Sequence, residues 1–483
     1  MKPILYFVFL FFAFLVKAQP PTKFYTKVGS NGYEYAYDVK QTLDGGYILC
    51  GSTSSFGQGN TDSYLVKLDS MGQIKFEKNF GGPQNDCAKS VIQLTDSSYI
   101  ISGYSNSFGV GGYNIYLAQI DKNGNLNWQK NLGGDDWDFA NSMFQTNDGG
   151  LIICGTTYSY GRGKADGYVL KTDLSGNIIW QKTYGGKHDD EFKSVVQTQD
   201  GNYALTGYTK SYNDTVNGDA WIFKLDVSGD SLYCSTFGGT YKDVLNKVTQ
   251  FPNGNLYFAG SNESHTNGAN SVNWLYLIDN TNNVIVNDFI GNTNQEWYNS
   301  SCVGLNGTVA TVGFNKYVGT NADANIHIYT QNLSYVAFYP FGIDSFDELF
   351  AINPTKDKGF VAVGTSLGNS TLLNDVLFVK TDSLGQYGAG IISVKEQTKN
   401  DISVNLYPNP VLDYLNVKVL NGKQFKSLSY RLLNTSGVVV DENNIYNNDF
   451  IKVITNSLTN GLYFIQINDG DKLLYTTKIS VAR

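Results

Sequence analysis

The chain has 483 residues, a formal net charge of −8 and only 16% charged side chains, with 51 glycines, 34 tyrosines and 28 phenylalanines. The acidic balance excludes a nucleic-acid partner, because phosphate binding needs clustered basic side chains. The low charge, with so much glycine and aromatic residue, speaks against long exposed helices and for an all-β chain of short strands and tight turns. Five cysteines, an odd number scattered from Cys50 to Cys302, form no framework of the kind small secreted domains use.

In chain order, the first element is a charged start at Lys2, an apolar run from Ile4 to Val16, and "VKAQ". This is the pattern of a secretory signal peptide over residues 1–18, cut after Ala18. The run is shorter than the roughly 20 residues a membrane-spanning helix needs, and no later stretch is long enough. No cysteine stands at the cut, so a lipid anchor is not expected there. The sequence predicts an exported protein with no transmembrane segment.

From residue 22 the chain repeats itself. "TLDGGYILCG" returns as "LTDSSYIISG", "TNDGGLIICG", "TQDGNYALTG", "FPNGNLYFAG", "GLNGTVATVG" and "TKDKGFVAVG". The closing glycines are Gly51, Gly103, Gly155, Gly207, Gly260, Gly313 and Gly364, spaced 52, 52, 52, 53, 53 and 51 residues apart. Within each copy, runs rich in Val, Ile, Tyr and Phe are bounded by Asp, Asn and Gly, which reads as four short strands, A to D. Four strands per repeat of this length match one blade of a propeller. The large residue before each Gly-Gly (Phe76, Trp128, Trp180, Tyr233, Val286, Phe338) has an earlier counterpart at Phe24 and none after "TDSLG". The N-terminal strand is therefore expected to complete the last blade and remove two sheet edges. The prediction is a seven-bladed β-propeller over residues 22–388.

Antiparallel order puts the short A–B and C–D turns on one face and the longer B–C and D–A loops on the other, where function is expected. That face carries an acid after each D–A loop: Glu34, Asp86, Asp138, Asp190, Asp243, Glu296 and Asp347. Such a ring would either hold a cation such as Ca²⁺, which takes oxygen ligands, or cap loop amides. Aromatics recur in the B–C loop at Phe56, Phe108, Tyr160, Tyr212 and Tyr317, with His265 and Leu367 near that place in two other copies. They would stack on sugars or anchor a protein, or else plug the blade ends. Departures from the repeat at Trp137, Arg162, Lys164, His188 and Trp297 are further candidates for a ligand site.

Catalytic patterns are weak. His188, His265 and His327 fall in different repeats with no metal-ligand spacing, and there is no nucleophile elbow or Walker loop. The acids Asp189, Asp190 and Glu191 would suit a glycosidase or lyase pair, but read first as a solvated loop. Cys50 and Cys154 occupy a slot that Ser, Thr, Ala or Val fills elsewhere, so they read as small hydrophobes.

The repeats stop near Gly388. A polar linker over 389–404 precedes "VNLYPNPVLDYLNVKV" and a series of alternating segments that predict a small β-sandwich over 405–483. The motif Tyr407-Pro408-Asn409-Pro410, a later Asp, then Gly461-Leu462-Tyr463 and a final "KISV" strand resembles the type A sorting domain of the bacterial type IX secretion system. That resemblance implies export to the periplasm, passage across the outer membrane by the type IX machinery, and release or attachment at the cell surface. The predicted function is a secreted or surface propeller that binds a glycan or a surface protein, with no required cofactor. The alternatives are a polysaccharide hydrolase or lyase and a structural envelope protein.

Overall fold

The computed structural model describes residues 23–213, 216–291, 295–316, 322–341, 346–367, 373–387, 404–407, 411–419, 427–434, 439–444, 450–470 and 472–481. Contacts divide the chain into two compact units, 1–388 and 389–483. Both are built of strands, and the described residues contain no α-helix, only a short 3₁₀ turn at Ser264–Thr266.

The first unit consists of repeated four-stranded antiparallel sheets. In the first, Glu34–Gln41, Tyr47–Thr53, Asp62–Leu68 and Ile74–Phe80 pair in sequence order. Four more sheets follow the same plan, as do two further four-stranded runs joined by a single parallel bridge, Ala322 to Phe346. The last run contains only three consecutive strands, and Phe24–Val28 supplies the fourth, with Phe24 opposite Lys380 and Val28 opposite Val376. Phe24 is fully buried and stacks on Phe378 with ring centroids 5.7 Å apart.

In the first sheet the second and third strands are buried along their whole length, whereas the fourth is largely exposed. Their apolar residues are continuous because each sheet is covered on both faces by its neighbours. Ile48, Cys50 and Leu65 of the first sheet share a core with Ala88, Val91, Tyr99 and Ile101 of the second. The last sheet packs on the first in the same way, with Val361, Val363 and Phe378 against Val39, Leu49 and Tyr64. Turn amides reinforce these contacts: Leu43 N donates to Gln93 Oε1 at 2.7 Å, and Lys356 N to Gln41 Oε1 at 2.7 Å.

The "LDGG" turn is an Asp-centred hairpin. Gly45 adopts φ 83°, and Asp44 accepts from Gly46 N at 3.0 Å and from the buried Lys67 Nζ at 3.0 Å. Burial opposes ionisation of Asp44, but the bonds from Thr42, Lys67 and Gly46 outweigh it and lower its pKa to about 2. Asp148 with Lys171 and Asp357 with Lys380 repeat the device. All five cysteines are free thiols, and Cys50 and Cys154 are fully buried in apolar cores.

The first strand of each sheet, the inner strand, carries a β-bulge three residues after its acid, which brings the carbonyl of the residue next to the acid onto the closing glycine of the repeat. A Cβ on Gly155 would lie 1.9 Å from Phe139 O, and one on Gly51 would lie 1.7 Å from Tyr35 O. The period found in the sequence is therefore the period of the bulge.

In the second unit, Val404–Tyr407, Tyr414–Val419 and Phe450–Ile454 form a three-stranded sheet. Val439–Asn444, Leu428–Asn434, Gly461–Asp469 and Lys472–Val481 form a four-stranded one. One core joins them, with Val411, Leu415, Val417 and Val453 against Tyr430, Leu432, Ile465 and Ile479.

Candidate functional site

The seven recurrent acids do not line an open mouth. All are buried, none more than 5% exposed, because the acid at the head of each inner strand turns into the junction with the preceding sheet. There they cap loop amides. Asp86, Asp138, Asp190 and Asp243 accept from Gly82, Gly134, Gly186 and Gly239 N at 2.7–2.9 Å. Glu34 accepts from Ser30 N at 3.1 Å and Thr53 Oγ1 at 2.8 Å, and Glu296 from Asn273 Nδ2 at 3.0 Å. Asp347 occupies the same place at full burial.

At several junctions a second acid stands close by, so that Asp62 and Asp86 both crowd Gly81, and Asp166 and Asp190 both crowd Gly185. Burial raises the pKa of Asp62 and Asp166, and the adjacent carboxylate adds to the shift. Among the described residues, no group of three or more His, Cys, Asp or Glu side chains is placed to hold a metal ion.

Most of the loop aromatics fold back on their own sheet. Phe56, Phe108, Tyr160 and Tyr212 pack on Tyr64, Tyr116, Tyr168 and Trp221 with centroids 5.7–6.3 Å apart. His265 stacks on Phe289 at 4.3 Å, Leu367 ends a strand, and Tyr317 lies outside the described residues.

What remains at least partly accessible on the inner strands is the residue three after each acid, Tyr37, Lys89, Asn141, Lys193, Asn246, Asn299 and Phe350, joined in some sheets by the residue next to the acid, as at Glu191 and Trp297. These side chains converge from different sheets: Asn141 Nδ2 donates to Glu191 Oε1 at 2.8 Å, and Asn299 Nδ2 to Glu348 Oε1 at 2.8 Å. Trp297 belongs to this set, donating from Nε1 to Glu348 Oε1 at 3.0 Å. Burial raises the pKa of Glu348 against those two bonds.

On the long-loop side these residues open into a cavity of ≈ 330 Å³ lined by Lys89, Tyr104, Phe139, Asn141, Thr156, Tyr158, Ala165, Asp189, Asp190, Glu191 and Tyr208. The acid cluster read as a solvated loop is thus split by the strand that starts at Asp190. Asp190 turns into the junction and is fully buried, while Asp189 and Glu191 line the cavity with it. Glu191 is ion-paired with Lys193 at 2.7 Å and Asp189 with Lys210 at 3.3 Å.

Trp137 is 47% exposed and sits edge-on to Tyr158 at 6.0 Å and Phe139 at 6.4 Å, extending the aromatic wall outward. Arg162, Lys164 and His188 are exposed on neighbouring loops and do not line the cavity. Sequence reasoning missed Lys89, Tyr104, Asn141 and Tyr158. For Lys89 and Asn141 the signal available was the position three residues after each acid, which reads Tyr37, Lys89, Asn141, Lys193, Asn246, Asn299 and Phe350 in an otherwise repetitive frame. A second cavity of ≈ 360 Å³ lies at the tight turns around Asp148, Lys171 and Ile179, where the acid is already tied to the lysine.

In the C-terminal unit, Tyr407 ends the first strand, while Pro408, Asn409 and Pro410 lie outside the described residues. Gly461-Leu462-Tyr463 opens the strand Gly461–Asp469, and the Tyr463 ring is buried with its hydroxyl donating to Thr459 O at 3.0 Å. Residues 405–482 match the family model of the secretion system C-terminal sorting domain. The C-terminal unit is a type IX sorting domain. This sorting domain makes the chain a secreted or cell-surface protein and implies a partner in the type IX machinery. Among the described residues no helix is long and apolar enough to cross a membrane.

The other likenesses are distant. A regulatory protein, FlaEY, of Caulobacter vibrioides is 24% identical over 202 residues, which is 36% of this chain and 21% of that protein. The match therefore spans about a fifth of the relative's length.

Among solved structures, a fungal alcohol oxidase of the AA5 family with copper is similar at 12% identity and TM-score 0.47, covering 95% of this chain and 98% of that one. The Pan2 WD40 domain of Neurospora crassa is similar at 9% identity and TM-score 0.46, covering 76% of this chain and 98% of that one. The β-propeller domain of the Trilobed protease of Pyrococcus furiosus is similar at 11% identity and TM-score 0.43, covering 74% of this chain and 99% of that one.

Proposed function

We propose that residues 22–388 form a seven-bladed propeller closed by Phe24–Val28, that 389–404 is a linker, and that 405–483 is a β-sandwich that directs export. Behind a signal peptide at 1–18, the chain would reach the periplasm and then cross the outer membrane. The propeller acts there as a binding module for a glycan. The observation that carries this reading is the cavity of ≈ 330 Å³, which sets aromatic faces beside carboxylates, an amide and a hydroxyl. Its size is at the lower end of ligand sites, about 300–1,000 Å³. Aromatic rings stack on the apolar faces of sugars while the polar groups meet their hydroxyls.

The test is a glycan-binding screen with the full mature chain, repeated with Trp137→Ala and Tyr158→Ala. Binding that falls about fivefold in either variant supports the reading, one aromatic contact being worth about 1 kcal/mol. No binding to any glycan, or binding indifferent to both changes, rejects it. Turnover of a polysaccharide in the same screen would favour a hydrolase or lyase using Asp189 and Glu191.

A further inference from the structure

We propose that the ligand of this cavity carries an anionic substituent, a sugar carboxylate or sulfate, that docks on the Lys89 ammonium. The proposal rests on the glycan-binding reading and adds its chemical class. Every carboxylate of the cavity already has partners. Glu191 has Lys193 at 2.7 Å and Asn141 at 2.8 Å, and Asp189 has Lys210 at 3.3 Å. Asp190 accepts from Gly186 N, Thr209 Oγ1 and Ser211 Oγ.

Lys89 differs. Its Nζ stands 3.2 Å from the Tyr37 ring centroid and 6.0 Å from that of Tyr104, and among the described residues it has no hydrogen-bond acceptor. A neutral ligand filling the cavity would strip the remaining water from this ammonium and return nothing. An anionic oxygen returns both the charge and a charge-assisted hydrogen bond. Thr156 Oγ1, buried and without a partner, offers a further hydroxyl on the same wall. Asp136, which acts on the lining Tyr158, is exposed, so solvent and salt screen it.

Burial lowers the pKa of Lys89, with Lys193 acting in the same direction and Glu191 against it. The other groups facing it, Tyr37, Tyr104, Cys50 and Cys87, are all pushed up by burial and stay neutral. A bound anion favours the charged amine. Affinity is therefore full while Lys89 is protonated and falls as pH rises through its lowered value, below the ordinary 10.5.

The experiment is calorimetric titration of the full mature chain with uronate, sulfated and neutral oligosaccharides of matched length, on the unaltered protein, Lys89→Met and Lys89→Arg. The expected result is binding about tenfold tighter for an anionic series, lost in Lys89→Met and kept in Lys89→Arg, as one charge-assisted bond requires. The two anionic arms distinguish carboxylate from sulfate. Neutral oligosaccharides binding as tightly as both anionic series would overturn the inference and leave the glycan reading standing. No oligosaccharide binding at all would remove the glycan reading, and this inference with it. If Lys89→Met fails to fold, the pH series on the unaltered protein decides: an anionic preference that does not weaken at alkaline pH overturns the proposal.

Discussion

At Gly155 the added Cβ of alanine would collide with a backbone carbonyl, 1.9 Å away, which no side-chain rotation can relieve. Gly155→Ala is expected to destabilise the first unit by about 3 kcal/mol, at the upper end of overpacking costs, read as a lower midpoint in urea unfolding. His327 offers a second test. It lies 6% exposed, with Nδ1 at 2.7 Å from Tyr298 OH and 2.9 Å from Tyr329 OH. Burial lowers its pKa from 6.5 to about 4, so the folded state binds fewer protons than the unfolded chain. Its contribution is fully present above 6.5 and is lost as pH falls toward 4, by about 3 kcal/mol at most. His327→Gln should flatten the stability profile in that window, and an unchanged slope would show that the ring titrates normally.

At the scale of elements, the strand from Phe24 to Val28 pairs with Asn374–Thr381, so the last sheet depends on the far end of the unit. Phe24→Ala would leave a cavity between Phe378 and Tyr47 and cost about 3–5 kcal/mol. Deleting the strand would also expose the edge of Asn374–Thr381. Faster proteolysis of the last sheet and concentration-dependent self-association should follow, measured by timed digestion and size-exclusion chromatography. The permuted strand was legible because Phe24 keeps step with Phe76 and its successors. The bulge was not, because it shows in the sequence only as a glycine that never varies.

At the scale of the molecule, the two units have separate cores, one running between neighbouring sheets and one confined to the C-terminal sheets. Removing residues 405–483 should leave the unfolding midpoint of the first unit unchanged within error while stopping delivery to the cell surface, scored by surface labelling of intact cells. Retained delivery would contradict the role of the sorting domain. A lowered midpoint would show that the units are coupled.

The sequence by itself determined the repeat, its four-strand content, the strand borrowed from the N-terminus and the sorting domain. Periodicity and contiguous motifs are local properties that survive in a linear string. It also placed an acid at the start of every inner strand, but not where that side chain goes. Only the tertiary structure decided that the recurrent acids are buried caps and that their irregular neighbours, Lys89, Asn141 and Glu191, face a common space. Alternation along a strand sends adjacent residues to different environments, and which environment each meets depends on sheets roughly fifty residues away in the chain. A cavity made by single residues from several repeats has no signature within any one of them.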